Sequence, residues 1–333
     1  MAKLPLIAQA LLGIALLSPV MRCQTQATPS RTISFQGLKS SPKRCHTPFA
    51  AQFIDNSTLL LTNPICARSG SASSYQYAVV NLDGTIRSTI ELSESSNRGY
   101  VGPPGYLFFP ADHRGWLIYD TDLQPKWNVP IPEQEFPGSV ILSLSHTAAA
   151  ISSDLPGDHL GQDHWQLFMG EPLAKVGEYT GRPPFPGVSD IGTIQQREPN
   201  QPSPSSVQPI EGEFWFFNPD NLLSRRTATT PDLILREAEW LVPKSQYPPH
   251  CFTSLSISPA RKILAYCSSE VHLPRGFALL IHTYMYSNLR YAVYDTTGNV
   301  VTKGTYSSPP SLSPDGRKLA LTQGQTVILH NLP

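Results

Sequence analysis

The sequence predicts an all-β chain of about six repeated hairpin units, and three observations carry that expectation. Proline and glycine are abundant, 33 and 22 residues in a chain of 333, and they punctuate it too often for long helices. Apolar and polar residues alternate over short runs, the period of a half-buried strand. Turn residues separate the runs, and one layout of run, turn, run and third run recurs along the chain.

The N-terminus reads as an address. Lys3, the largely apolar run Leu4–Leu17 and the helix-ending pair Ser18-Pro19 match a secretory signal over residues 1–27. The run, interrupted by Gln9, is short for a membrane span of ~20 residues, and no other stretch approaches its length. Thr25 and Ala27 are the small residues expected before a cleavage after Ala27. An uncleaved anchor is one alternative. Lipidation at Cys23 is another, but Arg22 stands where that modification requires a small residue. The expectation is export to the periplasm or beyond, with no transmembrane span in the mature chain.

The body reads as hairpins. Ser311–Leu321 (SLSPDGRKLAL) has Pro314-Asp315-Gly316 between alternating apolar residues. Proline fixes φ, aspartate bonds its own backbone and glycine tolerates positive φ, so this segment turns tightly. Thr253–Ala265 repeats the layout around Pro259–Lys262, Ser139–Ser152 around Ser145-His146-Thr147, and Gln52–Leu61 around Asp55-Asn56-Ser57. A third strand with its own turn follows each hairpin: Tyr77–Ile86, Trp116–Trp127 and Tyr291–Val301, with weaker copies at Trp165–Val176 and Asp232–Val242. Val327–Pro333 is a final, shortened copy. The third residues of these copies are Val79, Ile118, Leu167, Ile234, Val293 and Leu329, between 36 and 67 residues apart. The longest interval holds Pro184–Pro209, read as a Pro/Ser-rich surface excursion within a single domain spanning 28–333.

A blade of a β-propeller has this length and layout, ~40–50 residues. The SLSPDGRKLAL segment resembles the repeat signature of TolB-like and related WD-type β-propellers. The other units match it in layout more than in letters: Pro259-Ala260-Arg261 lacks Asp-Gly, and Ser145-His146-Thr147 lacks all three residues. The resemblance implies an all-β propeller of about six blades, mostly of four antiparallel strands. It implies no function, because propellers host enzymes, lectins and scaffolds alike. A pair of β-sandwich domains is the rival fold, although it predicts no such repeat. Ala148-Ala149-Ala150 and Ala265 suit the crowded interior of a blade. The lone strand Thr32–Leu38 and the unpartnered Val327–Leu332 are expected to close the ring by pairing, which removes two exposed edges.

Discarding Cys23 leaves Cys45, Cys66, Cys251 and Cys267, an even number suited to an oxidising compartment. Three pairings are possible. The hairpins favour Cys45–Cys66 and Cys251–Cys267, because each pair brackets a turn and its sulfurs should lie nearly opposite one another.

Chemistry leaves fewer marks. The 25 basic and 25 acidic side chains balance, with a pI near 7.1, which argues against nucleic acid as the partner. Among nine histidines only Asp158-His159 and Asp163-His164 look like a cluster. That spacing could hold a divalent cation, but a polar hairpin tip has the same composition. There is no Gly-x-Ser-x-Gly elbow, no phosphate-binding glycine loop and no distinguished carboxylate pair among Asp120, Asp122, Asp154, Glu171 and Glu237. No catalytic, cofactor-binding or metal-binding residue is therefore assigned, and no cofactor is expected. Aromatics concentrate at Tyr106–Phe109, Phe214–Phe217 and Tyr284, Tyr286 and Tyr291. They serve either a channel-mouth binding site or, the reading favoured here, packing between blades. The functional expectation is a monomeric, non-catalytic binding or scaffolding propeller for a protein, peptide or glycan. The alternative is a hydrolase or lyase at the channel mouth.

Overall fold

The computed structural model describes residues 30–39, 49–67, 72–92, 99–111, 115–133, 135–154, 163–181, 187–195, 207–227, 229–241, 250–271 and 289–333. Six four-stranded antiparallel sheets form the blades of a β-propeller. Blade one contains Ala50–Phe53, Thr58–Cys66, Ala72–Asn81 and Ile86–Leu92, and blade two Tyr100–Val101, Tyr106–Ala111, Gly115–Asp120 and Pro125–Val129. Blade three contains Phe136–Leu142, Ala148–Asp154, Asp163–Met169 and Ala174–Gly181. Blade four contains Val207–Ile210, Glu213–Phe217, Leu223–Thr227 and Thr230–Ile234, and blade five His250–Ile257, Ile263–Val271, Leu289–Tyr294 and Val300–Tyr306. Blade six joins Ser311–Leu312, Lys318–Gln323 and Thr326–Asn331 to Ser30–Ser34 from the other end of the chain. No helix among the described residues is long and apolar enough to cross a membrane.

Ring closure therefore follows the sequence expectation. Ser30–Ser34 pairs antiparallel with Thr326–His330 as the outermost strand of blade six. Ile33 from this strand is buried with Val327 and Leu329 and with Phe53 and Leu61 of blade one.

The core lies between neighbouring sheets. Leu60, Tyr77 and Val79 of blade one meet Leu107 and Phe109 of blade two, while Phe108, Trp116 and Ile118 meet Ala149, Ile151 and Phe168 of blade three. Trp215 joins blade four to Ala292 and Tyr294 of blade five. Each large side chain taken from water contributes roughly 1.5–3 kcal/mol. The alanines of the second strands, Ala148, Ala149, Ala150 and Ala265, are wholly buried, because only small residues fit where sheets converge.

Two turn geometries recur. After the first strand, the backbone N–H groups of Ser143, Ser258 and Ser313 reach the carbonyls of Ala148, Lys262 and Lys318. Gly316 completes the last of these turns at φ 65°, a conformation that glycine adopts without cost. After the third strand, the N–H groups of Asn81, Asp120 and Asp295 reach Thr85, Gln124 and Asn299, and in blade four Asn218 reaches Leu222 after the second strand. Burial works against ionisation of Asp120 and Asp295, but hydrogen bonds from turn amides and side chains outweigh it and lower both pKa values.

These geometries correct one sequence reading. Val79, Ile118, Leu167, Val293 and Leu329 fall on third strands, but Ile234 does not. In blade four the third strand is Leu223–Thr227, which lies between Glu213–Phe217 and Thr230–Ile234 in the sheet. The Ser189 turn, with its N–H bonded to Thr193, has the geometry that elsewhere follows a first strand. It joins Gly187–Val188 to Ile194–Gln195, a small hairpin packed on blade three. Thr230–Ile234 is the outer, fourth strand of this blade, exposed along its length, and it leads into the short helix Ala238–Leu241. Its apolar letters Leu233 and Ile234 imitate a core strand, yet both residues are more than half exposed.

Candidate functional site

The channel side of the propeller is built from the first strands, which touch one another from blade six to blade one and from blade one to blade two. The described first strands carry no Asp, Glu, Lys or Arg. Their polar groups hold neighbours instead: Gln52 donates to the Gly99 carbonyl at 2.9 Å, and Ser311 Oγ accepts from Phe53 N at 3.0 Å. At the turn end, His146 lies at φ 58° and reaches across to the Ile257 carbonyl of blade five. Burial pushes its pKa down, opposed by that carbonyl and by Asp190. Asp190 also takes the Ser145 amide and hydroxyl at 2.9 and 2.7 Å, tying the small hairpin to blade three.

The aromatic runs flagged in the sequence are packing residues. Leu107, Phe108, Phe109 and Trp215 are buried between blades, and Phe216 is buried as well. Tyr291 is buried too, while Tyr284 and Tyr286 lie outside the described residues. Of the Asp158-His159 and Asp163-His164 pairs, the first lies outside the described residues, as does the Asp163 side chain. His164 is half-exposed and engages the buried carboxylate of Glu135, Nδ1 to Oε1, at 2.6 Å. No group of three His, Cys, Asp or Glu able to hold a metal is present among the described residues.

Cys66 and Cys267 are buried, whereas Cys45 and the Cys251 side chain lie outside the described residues. The register corrects one expectation: Cys267 faces Thr253, and Cys251 faces Glu270 beyond a bulge at Phe252/Thr253. The two cysteines are therefore offset along the ladder and not directly opposite.

A groove of about 530 Å³ opens at the rim between blades two and three. Its volume lies in the usual range for ligand sites. Trp127 stands on the outer strand of blade two and is 42% exposed. The Tyr106 ring lies 5.6 Å from it, centroid to centroid. Tyr106 is itself pinned, its hydroxyl accepting from Leu173 N of blade three at 3.0 Å. Phe168, Leu173 and Val129 supply apolar lining, and Asn128, Gln166, Lys175 and Glu178 supply polar groups. Gln166 Nε2 donates to the Pro130 carbonyl at 3.3 Å, across the blade boundary. Lys175 pairs with Glu178 and, with a smaller contribution from His164, holds that carboxyl below its ordinary pKa.

Sequence reasoning missed this groove. Trp127 closes a recognised repeat copy, and Gln166 and Phe168 alternate on another, but nothing local says that the two copies meet. The chemistry open to the arrangement is binding: a half-exposed indole beside amides and a balanced ion pair.

No family profile matches the chain, and a search of curated proteins finds no relative. Among solved structures, a chain of the mitotic checkpoint complex is similar over 99% of both chains, at 14% identity and a TM-score of 0.49. Oligogalacturonate lyase in complex with manganese is similar over 92% of this chain and 98% of its own, at 13% identity and 0.44. Oligogalacturonate lyase from Vibrio parahaemolyticus gives 92% and 97%, at 14% and 0.46. These are likenesses in architecture alone.

Proposed function

We propose that this protein is a non-catalytic, exported binding propeller that takes an uncharged glycan chain in the groove between blades two and three. The observation that carries the reading is Trp127, a large aromatic face left 42% exposed at the groove and backed by Tyr106. A sugar ring presents C–H bonds that pack on such a face and hydroxyls that both donate and accept. Asn128 and Gln166 supply matching amides. Lys175 and Glu178 cancel each other's charge, which favours a neutral ligand over a polyanion. The groove is open, which suits a chain more than a single small molecule.

Tryptophan fluorescence with cellohexaose, xylohexaose, maltohexaose and chitohexaose tests the reading. At least one hexasaccharide should change the emission saturably, and Trp127→Ala should weaken its binding more than tenfold while leaving the melting temperature within about 2 °C, as expected for a surface change. No response to any of the four, or equal binding by the variant, would refute the site.

We further infer export with cleavage after Ala27 and the pairs Cys45–Cys66 and Cys251–Cys267. Support comes from the bonded state of the Cys66 and Cys267 sulfurs and from the signal-like run Leu4–Leu17. Each link would close a short loop and contribute roughly 3 kcal/mol in the chain-entropy account. Non-reducing peptide mapping of protein recovered from the secreted fraction should give a mature N-terminus at Thr28 and both linkages. A Cys45–Cys251 peptide would contradict the pairing, and an intact Met1 would contradict the cleavage.

A further inference from the structure

Beyond the residues that line the groove, blade three continues the same face toward a polar cluster. His164, Gln166 and Phe168 are alternate residues of Asp163–Met169, and alternate residues of a strand share a face. Gln166 and Phe168 line the groove, so His164 extends the row by one position. Opposite them on the next strand, Thr180 faces His164 and Glu178 faces Gln166.

His164 is held from behind. Glu135, on the connection from blade two to blade three, is only 3% exposed. One oxygen takes His164 Nδ1 at 2.6 Å and the other takes the hydroxyl of buried Ser153. A buried carboxylate with both oxygens engaged is a fixed acceptor. It selects the imidazole tautomer with hydrogen on Nδ1 and orients the ring. The imidazole side chain is 42% exposed, so the cost of ordering it has been met while its second nitrogen is left for another partner.

Resting on the glycan reading above, we propose that His164 is a further ligand-contacting residue at the end of the groove, its Nε2 hydrogen-bonded to a sugar hydroxyl, with Glu135 as its positioning residue. Trp127 then grips one part of the chain by stacking, while His164 fixes its register by a directed hydrogen bond. The pair sets how far along the groove a chain must extend, so a hexasaccharide should bind better than a disaccharide of the same sugar.

The test uses the full mature protein and whichever of the four hexasaccharides binds. His164→Ala should weaken binding about fivefold to tenfold, the effect of one directed hydrogen bond, and should abolish the preference for six sugars over two. In long-range proton–nitrogen spectra of the labelled protein, the His164 Nε2 resonance should shift on saturation with ligand. Glu135→Gln should mix the tautomers and weaken binding similarly, a spectroscopic change that simple loosening of the fold would not produce. Binding by His164→Ala within twofold of wild type, with Trp127→Ala still defective, would overturn the role of His164 and leave the groove standing. An unshifted Nε2 resonance at saturation would overturn it equally. Failure of all four hexasaccharides to bind the wild type would remove both readings.

Discussion

Deleting residues 28–40 is expected to lower the melting temperature by about 10–15 °C or to prevent folding altogether. The segment supplies the outer strand of blade six, whose five residues pair from Ser30↔His330 to Ser34↔Thr326. Its loss strips the ladder from one side of Thr326–Asn331 and uncovers Val327 and Leu329. Ile33, 3% exposed, alone accounts for roughly 2–3 kcal/mol of burial. Lys39 adds a polar anchor beyond the strand: its N–H donates to Gln76 at 2.8 Å, and its carbonyl takes Asn63 and Gln325, each at 2.9 Å. Those acceptors and donors would be left behind, partly buried. Together the losses are on the order of 5 kcal/mol, comparable with the whole stability of many domains. Calorimetry on the shortened chain measures the effect, and Ile33→Ala, expected to cost about 2–4 kcal/mol, keeps the test open if the deletion does not fold. A shortened chain melting within about 2 °C of the full one would mean that the closing strand carries little of the ring's stability.

Glu213→Ala should produce the largest loss from a single polar side chain, about 3 kcal/mol. Glu213 is 6% exposed, and its two oxygens take the indole N–H of fully buried Trp215 at 2.6 Å and the Arg225 guanidinium at 2.6 Å. Removing the carboxylate leaves an indole N–H without its acceptor and a guanidinium without its counter-charge. Arg225 Nε already lacks a partner, so no second acceptor stands ready. The side chain of Arg225 keeps some contact with water, which holds the figure at the lower end of the range for a broken buried pair. Glu213→Gln should cost less, since an amide oxygen can still accept from the indole. Urea unfolding of the two variants separates the cases. A Glu213→Ala midpoint matching that of wild type would show that water replaces the carboxylate at little cost.

Much of the propeller was legible because its signals are local. Pro314-Asp315-Gly316 closes a turn through groups a few residues apart: Ser313 Oγ donates to Asp315 at 2.6 Å, and Arg317 N donates to the same carboxylate at 3.0 Å. Asp295 does the same with Thr297 and Asn299. Such turns need no distant partner, so their letters announce them. The buried fate of Phe108, Phe109 and Phe214–Phe217 also follows from the letters, because rings on both faces of a strand fit best between two sheets.

Blade four was misread because an exposed edge strand and a core strand share a vocabulary. Leu233 and Ile234 carry the apolar letters of a third strand, yet they lie on the outer, fourth strand, beyond Leu223–Thr227. Periodicity reports what a segment could bury; only the neighbouring sheet decides whether it does.

The sequence by itself determined the all-β class, the hairpins and their turns, and the pairing of the two ends of the chain. Each depends on backbone preferences within a few residues or on an edge that must be covered. The tertiary structure alone decided the groove of Trp127, Gln166 and Lys175, the Glu135–Ser153–His164 cluster and the Glu213–Trp215–Arg225 contact. The groove and the Glu135 cluster join segments from separate strands or blades, and their geometry is set by how sheets pack against one another. A contact between Trp127 and blade three has no counterpart in the spacing of letters, because the packing angle of two blades fixes it.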